Sequence, residues 1–428
     1  MIDLTRLRHD PQGVLALLKK KDPTFDGQRL LALDQEVRQV KTEVDNLRSQ
    51  KNELAKQGQK GITPELRDAA KQLSEKLKVR EEYSHTIEKE FKELYLHCPN
   101  IILESIPEGN KEQNLVVKTW GEKPVFTFTP KNHVELGALQ GASENTGTGN
   151  KGLEGGWFDF EAASRMTASN FAVYKGEAVF LVYKLMLFMW LNNIKQGFSP
   201  VLPPYFVNEK ALEGAGNWPR FKDEVYAISA DGLFATPTAE VNLTSMYRDR
   251  ILMSDQLPIR MTAWTSCFRR EAGTYGAAER GLIRIHQFEK VELYTICEPE
   301  HAQLEQDRMV ASAESILQAL GLHYQISLLA AQDTSFSSAK TYDIEVWMPG
   351  QGVYKEVSSI SNCTDFQARR SEIRYKTNQA DKAQLVNTLN GSSLALPRLM
   401  VALMETYQTE SGEIKLPAVL DSVTLKGL

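Results

Sequence analysis

Thr265-Ser-Cys-Phe-Arg-Arg-Glu-Ala-Gly-Thr-Tyr-Gly276, continued after Ala277-Ala278-Glu279 by Arg280-Gly-Leu-Ile-Arg-Ile-His-Gln-Phe-Glu-Lys-Val-Glu-Leu293, decides how this chain is read. It reads as two strands joined by a Gly/Ala-rich loop. Strand side chains alternate faces with period two. Arg269 and Glu271 are therefore expected on one face of the first strand, and Arg284, His286, Phe288 and Glu292 on one face of the second. Two arginines, an aromatic ring and two carboxylates on one surface suit a charged phosphate ester that carries a flat base. The competing reading is a solvated sheet face laced with ion pairs, because a short motif alone is only a hypothesis.

Working outward, 428 residues point to two or three domains, and a hydrophobic content of 42% is ample for a large core. The net charge of −5 carries no global sign of a nucleic-acid binder. Cys98, Cys267, Cys297 and Cys363 are scattered without a CxxC pair, which argues against a zinc site and a disulfide framework and for a cytoplasmic protein. The N-terminus has no apolar run of signal-peptide length. Ala178–Leu191 is densely apolar, but Lys184 interrupts it and it falls short of the roughly 20 residues a membrane span needs. A helix buried on several sides is expected there, with no membrane partner.

Residues 1–25 read as one short amphipathic helix carrying Leu4, Leu7, Val14, Leu17 and Leu18. Heptad spacing follows: Leu30, Leu33, Val37, Val40, Val44, Leu47, Lys51 and Leu54, then Leu66, Ala70, Leu73, Leu77, Arg80, Ser84, Ile87, Phe91 and Leu94. Such spacing indicates a coiled coil. Between the runs, Gly58, Gly61, Thr63 and Pro64 supply breakers, an N-cap and an N1 proline. One antiparallel hairpin over about residues 28–97 is expected. Its distal part, Arg48 to Arg80, holds nine Lys/Arg against four Asp/Glu, whereas residues 28–47 and 81–98 hold five against nine. A basic projection on an acidic chain suits phosphate backbones; a charge-balanced solvated coil is the plainer alternative.

Pro, Gly and Asn over residues 98–136 read as a linker, and from about 125 short strands and helices alternate to the end. Gly147-Thr-Gly149-Asn-Lys-Gly152 fits GxGxxG in letters, but neither a strand before it nor a helix after it supports a dinucleotide site.

The phenylalanine–arginine pair Phe268-Arg269 with Glu271, and Arg280-Gly-Leu-Ile-Arg-x-His286-Gln-Phe288 after it, resemble motif 2 of class II aminoacyl-tRNA synthetases in its seryl form. Thr236-Pro-Thr238-Ala239-Glu240 resembles that family's serine-binding TxE loop, and Asn390-Gly-Ser392-Ser-Leu-Ala-Leu-Pro-Arg398 its motif 3. The likeness covers nearly the whole chain. It implies an α+β fold: an N-terminal tRNA-binding domain over residues 1–105 with the antiparallel coiled-coil arm, then a class II antiparallel-sheet catalytic domain over 106–428. Ala178–Leu191 would be the motif 1 helix at a homodimer interface, and Gly197–Val207 the motif 1 strand.

The resemblance further implies ATP-dependent activation of L-serine and its transfer to tRNA(Ser), as a serine–tRNA ligase, with tRNA(Sec) a further acceptor where that pathway exists. It puts Arg269 on the α-phosphate and the serine carboxylate, and Arg398 on the γ-phosphate; with Glu356 these are the catalytic residues. ATP would be held by Arg269, Glu271, Ile285, Phe288, Arg398 and the strand Glu356-Val357-Ser358-Ser359. Phe288 and Arg398 would sandwich adenine. Mg2+ would be bound by Glu356 and Ser359, and zinc by none. Serine would be bound by Thr238, Ala239, Glu240, Arg269, Glu292, Asn390 and Ser392, with Glu292 taking the α-ammonium. Arginine suits such work because its planar fork donates bidentate bonds to phosphate.

Several positions depart from the family pattern: Arg270 replaces a usual serine, Asn242 a proline, and Ser393 and Pro397 usual glycines. Residues 142–156 look like an inserted surface loop. The alternative function is a paralogue that loads an amino acid onto a non-tRNA acceptor, against which the intact basic arm argues.

Overall fold

The computed structural model describes residues 1–59, 61, 63–140, 156–271 and 281–424. The GxGxxG-like stretch, nearly all of the proposed insertion, the Ala277–Glu279 loop and Arg280 lie outside the described residues. The chain divides into two compact units, Met1–Ile101 and Ile102–Leu428.

In the first unit the expected single N-terminal helix is two, Leu4–His9 and Pro11–Lys21. Pro11 cannot continue a helix, since it lacks an N–H. It starts the second helix instead, with Asp10 accepting from the Gly13 amide at 2.9 Å as N-cap. Ile2, Leu7, Val14 and Leu18 pack with Leu30, Cys98 and Ile101 where the arm begins and ends. The arm helices run Gly27–Gly58 and Pro64–Leu96. At about 1.5 Å per residue the 32-residue first helix is about 48 Å long. Thr63 caps the second helix by accepting from the Leu66 amide at 3.3 Å. The heptad positions form the buried or half-buried seam except Lys51, which is exposed. Flanking ion pairs Arg29–Glu90 (2.6 Å), Arg48–Glu81 (2.8 Å) and Arg80–Glu43 (2.7 Å) link the antiparallel helices. At the base, Asp34 is buried. Burial would raise its carboxyl, but the bidentate Arg8 bond, with Arg38, holds it below its ordinary value.

The second unit is built on an eight-stranded sheet. Its spatial order is Leu115–Trp120, Tyr324–Leu328, Lys340–Met348, Val353–Asn362, Asn387–Ala395, Gln287–Cys297, Ile259–Phe268 and Ser199–Val201. Every neighbouring pair is antiparallel except the last, which is parallel. Helices Glu177–Lys195, Ala302–Ala319 and Leu396–Thr406 bury their apolar faces in one large core with this sheet. The expected linker thus contains an edge strand, Leu115–Trp120. The Pro, Gly and Asn residues that read as linker lie before it; Leu115-Val-Val-Lys-Thr-Trp120 is itself rich in strand-forming residues and pairs with Tyr324–Leu328. The expected motif 1 strand is split into Ser199–Val201 and Phe206–Asn208, which join different sheets.

Helix Glu177–Lys195 is apolar and long enough to pass for a membrane span by composition. It is a core helix buried along one face (Ala178, Leu181, Leu185, Met186, Met189), not on several sides: Phe180 and Tyr183 are 68% and 61% exposed. Buried Asn193 fastens it to the sheet, donating to Thr262 at 3.0 Å and accepting from Ser312 and Ser393 at 3.0 and 2.8 Å.

Candidate active site

Along Gln287–Cys297, Val291 and Leu293 enter the helical core, while Phe288, Lys290 and Glu292 line a cavity on the other face. Asn390 and Ser392 reach it from the neighbouring strand, and Glu356, Ser359 and Ser361 from the next. Thr238 and Glu240 enter from the head of helix Ala239–Met246, and Arg398 from the head of Leu396–Thr406. The cavity has a volume of about 270 Å³, just under the lower end of the usual range for a small-molecule site.

Arg269 and Glu271 both line this cavity as expected, but not by strand alternation: the strand ends at Phe268, and Glu271 has a φ of +49°. Glu271 pairs with Arg284 at 2.5 Å. The Arg269 guanidinium lies 5.3 Å from the Phe288 ring centre, and its Nε donates to the Pro237 carbonyl at 3.2 Å. Arg398 donates to the Glu356 carbonyl at 2.7 Å and stands 3.4 Å from its carboxylate. Ile285 also lines the cavity.

His286 does not share the Phe288 face. The second strand starts at Gln287, so period-two alternation does not extend back to it. It is buried, with Nδ1 3.0 Å from the Arg269 carbonyl oxygen and its ring packed beside Phe171 and Tyr226. Three further expected contacts also lie off the cavity wall. Ala239 packs in the apolar cluster under its helix, Val357 enters the core, and the buried Ser358 hydroxyl donates to the Ser392 carbonyl.

Thr238 is both the cap of its helix and the centre of a polar triad. Its Oγ1 accepts from Lys290 Nζ at 2.7 Å and donates to Glu292 Oε2 at 3.3 Å, and Lys290 Nζ is 2.5 Å from the same Oε2. Sequence reasoning passed over Lys290, although its place between Phe288 and Glu292 in the period-two series was the available signal. Glu240 accepts from Gln367 at 2.5 Å and Asn390 at 2.9 Å. Burial, then the neighbouring Glu292 carboxylate, push its carboxyl up to about 7. The departures from the family pattern are absorbed locally. Asn242 accepts from Thr236 Oγ1 at 2.7 Å and donates to the Pro204 carbonyl at 2.6 Å, while exposed Arg270 is anchored by its amide on the Glu224 carbonyl at 2.9 Å.

Glu356 and Ser359 share the cavity face because of a register break. Glu345 pairs with Glu356 but Ile344 with Ser358, leaving Val357 as an extra residue. Asp343 faces Ser359 across the strands, and its Oδ1 is buried without a hydrogen-bond partner. Burial, then the Glu356 carboxylate, push Asp343 well above its ordinary value. Among the described residues no three His, Cys, Asp or Glu converge on one point. A carboxylate, a hydroxyl and an orphaned carboxylate oxygen fit a hard divalent cation that takes its remaining oxygens from phosphate and water.

Two family models match the chain: the seryl-tRNA synthetase N-terminal domain over residues 1–102 and the tRNA synthetase class II core domain (G, H, P, S and T) over 226–407. The chain is 40% identical to the serine–tRNA ligase of Synechococcus elongatus over 98% of this chain and 97% of that one. It is 41% identical to that of Desulfotalea psychrophila over 98% and 96%. Among solved structures it is similar to the seryl-tRNA synthetase of Pyrococcus horikoshii complexed with ATP, with a TM-score of 0.88, 31% identity and 99% and 98% of the two chains covered. The cytoplasmic serine–tRNA ligase of Naegleria fowleri in complex with AMP, at 24% identity and a TM-score of 0.81, shares the fold.

Proposed function

The chain belongs to the seryl-tRNA synthetase family, and from that premise we propose how its residues divide the work of a serine–tRNA ligase. The enzyme activates L-serine with ATP and transfers it to tRNA(Ser). In the first step a serine carboxylate oxygen attacks the α-phosphorus, and pyrophosphate leaves. In the second a hydroxyl of the terminal ribose of tRNA attacks the carbonyl carbon of seryl-adenylate, and AMP leaves. Neither step needs a covalent nucleophile from the protein. The demand is for alignment and for neutralising negative charge as it develops.

One observation carries the assignment of residues. Arg269 sits between the Phe288 ring and the Pro237 carbonyl of the TxE loop, where a nucleotide lying on Phe288 would meet an amino acid held by that loop. From there its fork holds the serine carboxylate and the α-phosphate together. Arg398 takes the γ-phosphate and the outer face of adenine. Glu271, steadied by Arg284, accepts from the adenine amino group, and Ile285 and the Glu356–Ser359 strand complete the nucleotide wall. Glu240, Glu292, Asn390 and Ser392 hold serine in a pocket lined also by Thr238, with Glu292 as partner of the α-ammonium. Glu356 and Ser359 would hold Mg2+, which when bound would offset triphosphate charge.

The basic tip of the arm grips tRNA(Ser), and tRNA(Sec) where it exists. The exposed Phe180 and Tyr183 on the long core helix support a homodimer, and the four free thiols support a cytoplasmic setting. A non-tRNA acceptor is not favoured, since the N-terminal domain model matches the arm-bearing region.

ATP–pyrophosphate exchange with each of the twenty amino acids, without tRNA, tests the core of this reading. Exchange with serine is expected. Exchange with another amino acid alone would overturn the substrate, and no exchange at all would overturn the activity.

A further inference from the structure

We infer that Lys290 is the positioning residue of the serine site: its ammonium fixes Thr238 and Glu292 and leaves Glu292 Oε1 as the open acceptor for the substrate's polar hydrogens. The inference rests on the synthetase reading of the cavity.

Lys290 is 5% exposed and Glu292 1%, so neither charge is solvated by bulk water. A buried ammonium needs partners for its charge, and this one has two: Thr238 Oγ1 at 2.7 Å and Glu292 Oε2 at 2.5 Å. A lysine ammonium only donates. Thr238 Oγ1 must therefore accept from it, which turns the hydroxyl proton to Glu292 Oε2 at 3.3 Å. The Glu240 amide, at 3.4 Å, takes the remaining lone pair of Thr238. Every hydrogen-bonding position of the threonine is thereby committed. Among the described residues the bonds to Glu292 fall on Oε2; Glu292 lines the cavity, so Oε1 is the oxygen left for a ligand.

The same cation sets the charge balance of the site. Glu240 and Glu292 both line the pocket and repel each other, and Lys290 with Arg269 are the cations acting on Glu240. The buried Cys267 thiol, on the neighbouring strand, also lies within reach of Lys290, Arg269 and Glu292, and burial raises it. Without Lys290, two carboxylates would share the pocket with Arg269 alone. One of them would hold a proton to higher pH, and serine would bind at the cost of displacing it.

The test compares K290M, which keeps the apolar stem and removes the charge, with K290R, which keeps the charge and adds bulk. K290Q takes the place of K290M if that variant does not fold, as judged by thermal melting. In ATP–pyrophosphate exchange we expect K290M to raise the KM for serine roughly ten- to hundredfold, the scale of losing a charge-assisted bond and leaving its buried partner unpaired. The KM for ATP should stay within about twofold. The acid limb of serine KM against pH should move upward in K290M, and K290R should bind serine better than K290M. A purely space-filling lysine would give the reverse order, with K290M benign and K290R impaired. That order, an equal rise in both KM values, or an unmoved acid limb overturns the inference. Absence of serine exchange in the unaltered protein would instead overturn the underlying reading.

Discussion

Glu356 and Ser359 stand three residues apart on one strand and still face the same cavity, because Val357 is an extra residue in the ladder. On a regular strand an odd spacing puts two side chains on opposite faces. The bulge restores them to one face and sends Val357 into the core. Ser358, between them, is turned toward the Ser392 carbonyl.

Two adjacent serines should therefore behave differently. Ser359→Ala removes a cavity oxygen from the proposed metal site. We expect serine-dependent exchange to fall about ten- to hundredfold, in line with the loss of one polar contact in a buried site, and to recover in part at raised Mg2+. Ser358→Ala loses a buried bond to backbone, so its effect should fall on thermal stability, about 1 kcal/mol, with a normal Mg2+ dependence. Equal Mg2+ dependence in the two variants would refute the assignment of the bulged strand.

In the proposed assignment Arg269 joins the nucleotide and amino acid halves of the site. Arg269→Ala should lower exchange by about 10²–10³ or more, as removal of one preorganised donor to developing charge does. Because the Arg269 amide bonds to the His286 carbonyl and the Arg269 carbonyl to the His286 ring, neither through the arginine side chain, the fold should survive the substitution. A variant with near-normal exchange would refute the motif 2 assignment.

The arm was legible because it obeys a local rule. Heptad spacing, a threonine cap and an N1 proline appear in the sequence as they do in the structure, and only Lys51 left the seam. The three cavity-forming motifs were legible as groups of residue types. What failed had non-local causes. His286 lies one residue outside its strand, so alternation gave it the wrong face. Leu115–Trp120 pairs with Tyr324–Leu328, far along the chain, and its short Val-Val-Lys-Thr-Trp run was submerged in the turn-rich stretch before it. Lys290 was missed although alternation marked it, because lysine on a strand is ordinarily a surface residue. Its burial becomes visible only once Thr238 and Glu292 are seen on either side of it.

Glu240 makes stability depend on pH in a definite direction. Burial and Glu292 raise its folded carboxyl from 4.5 to about 7, so the unfolded chain releases this proton more easily than the folded one. The stabilisation is complete below about 4.5 and is lost as pH rises toward 7. Glu240→Gln keeps the shape and removes the titration. The stability difference between unaltered protein and E240Q should shift in favour of E240Q between pH 4.5 and 7 and then level off. Denaturant melts at intervals of half a pH unit would show it; a flat difference would mean that Glu240 titrates normally.

If the arm grips tRNA as proposed, its removal separates activation from transfer. Arg48 to Arg80 carries a charge of +5, from nine basic and four acidic residues, whereas the base of the hairpin is acidic. Replacing residues 48–80 by a short Gly-rich turn removes that tip. It leaves Leu30, Leu33, Val40 and Ile87, with the Arg29–Glu90 pair, to hold the base. Serine-dependent exchange should remain within about twofold, because no cavity residue lies in the arm. Charging of tRNA(Ser) should fall by a hundredfold or more, and the residual charging should lose salt dependence in proportion to the phosphate contacts removed, a slope of about −0.9 per contact on duplex nucleic acid. Equal loss of exchange and charging would show that the arm supports the catalytic unit instead of the acceptor. Unchanged charging with an unchanged salt slope would move the tRNA grip elsewhere on the chain.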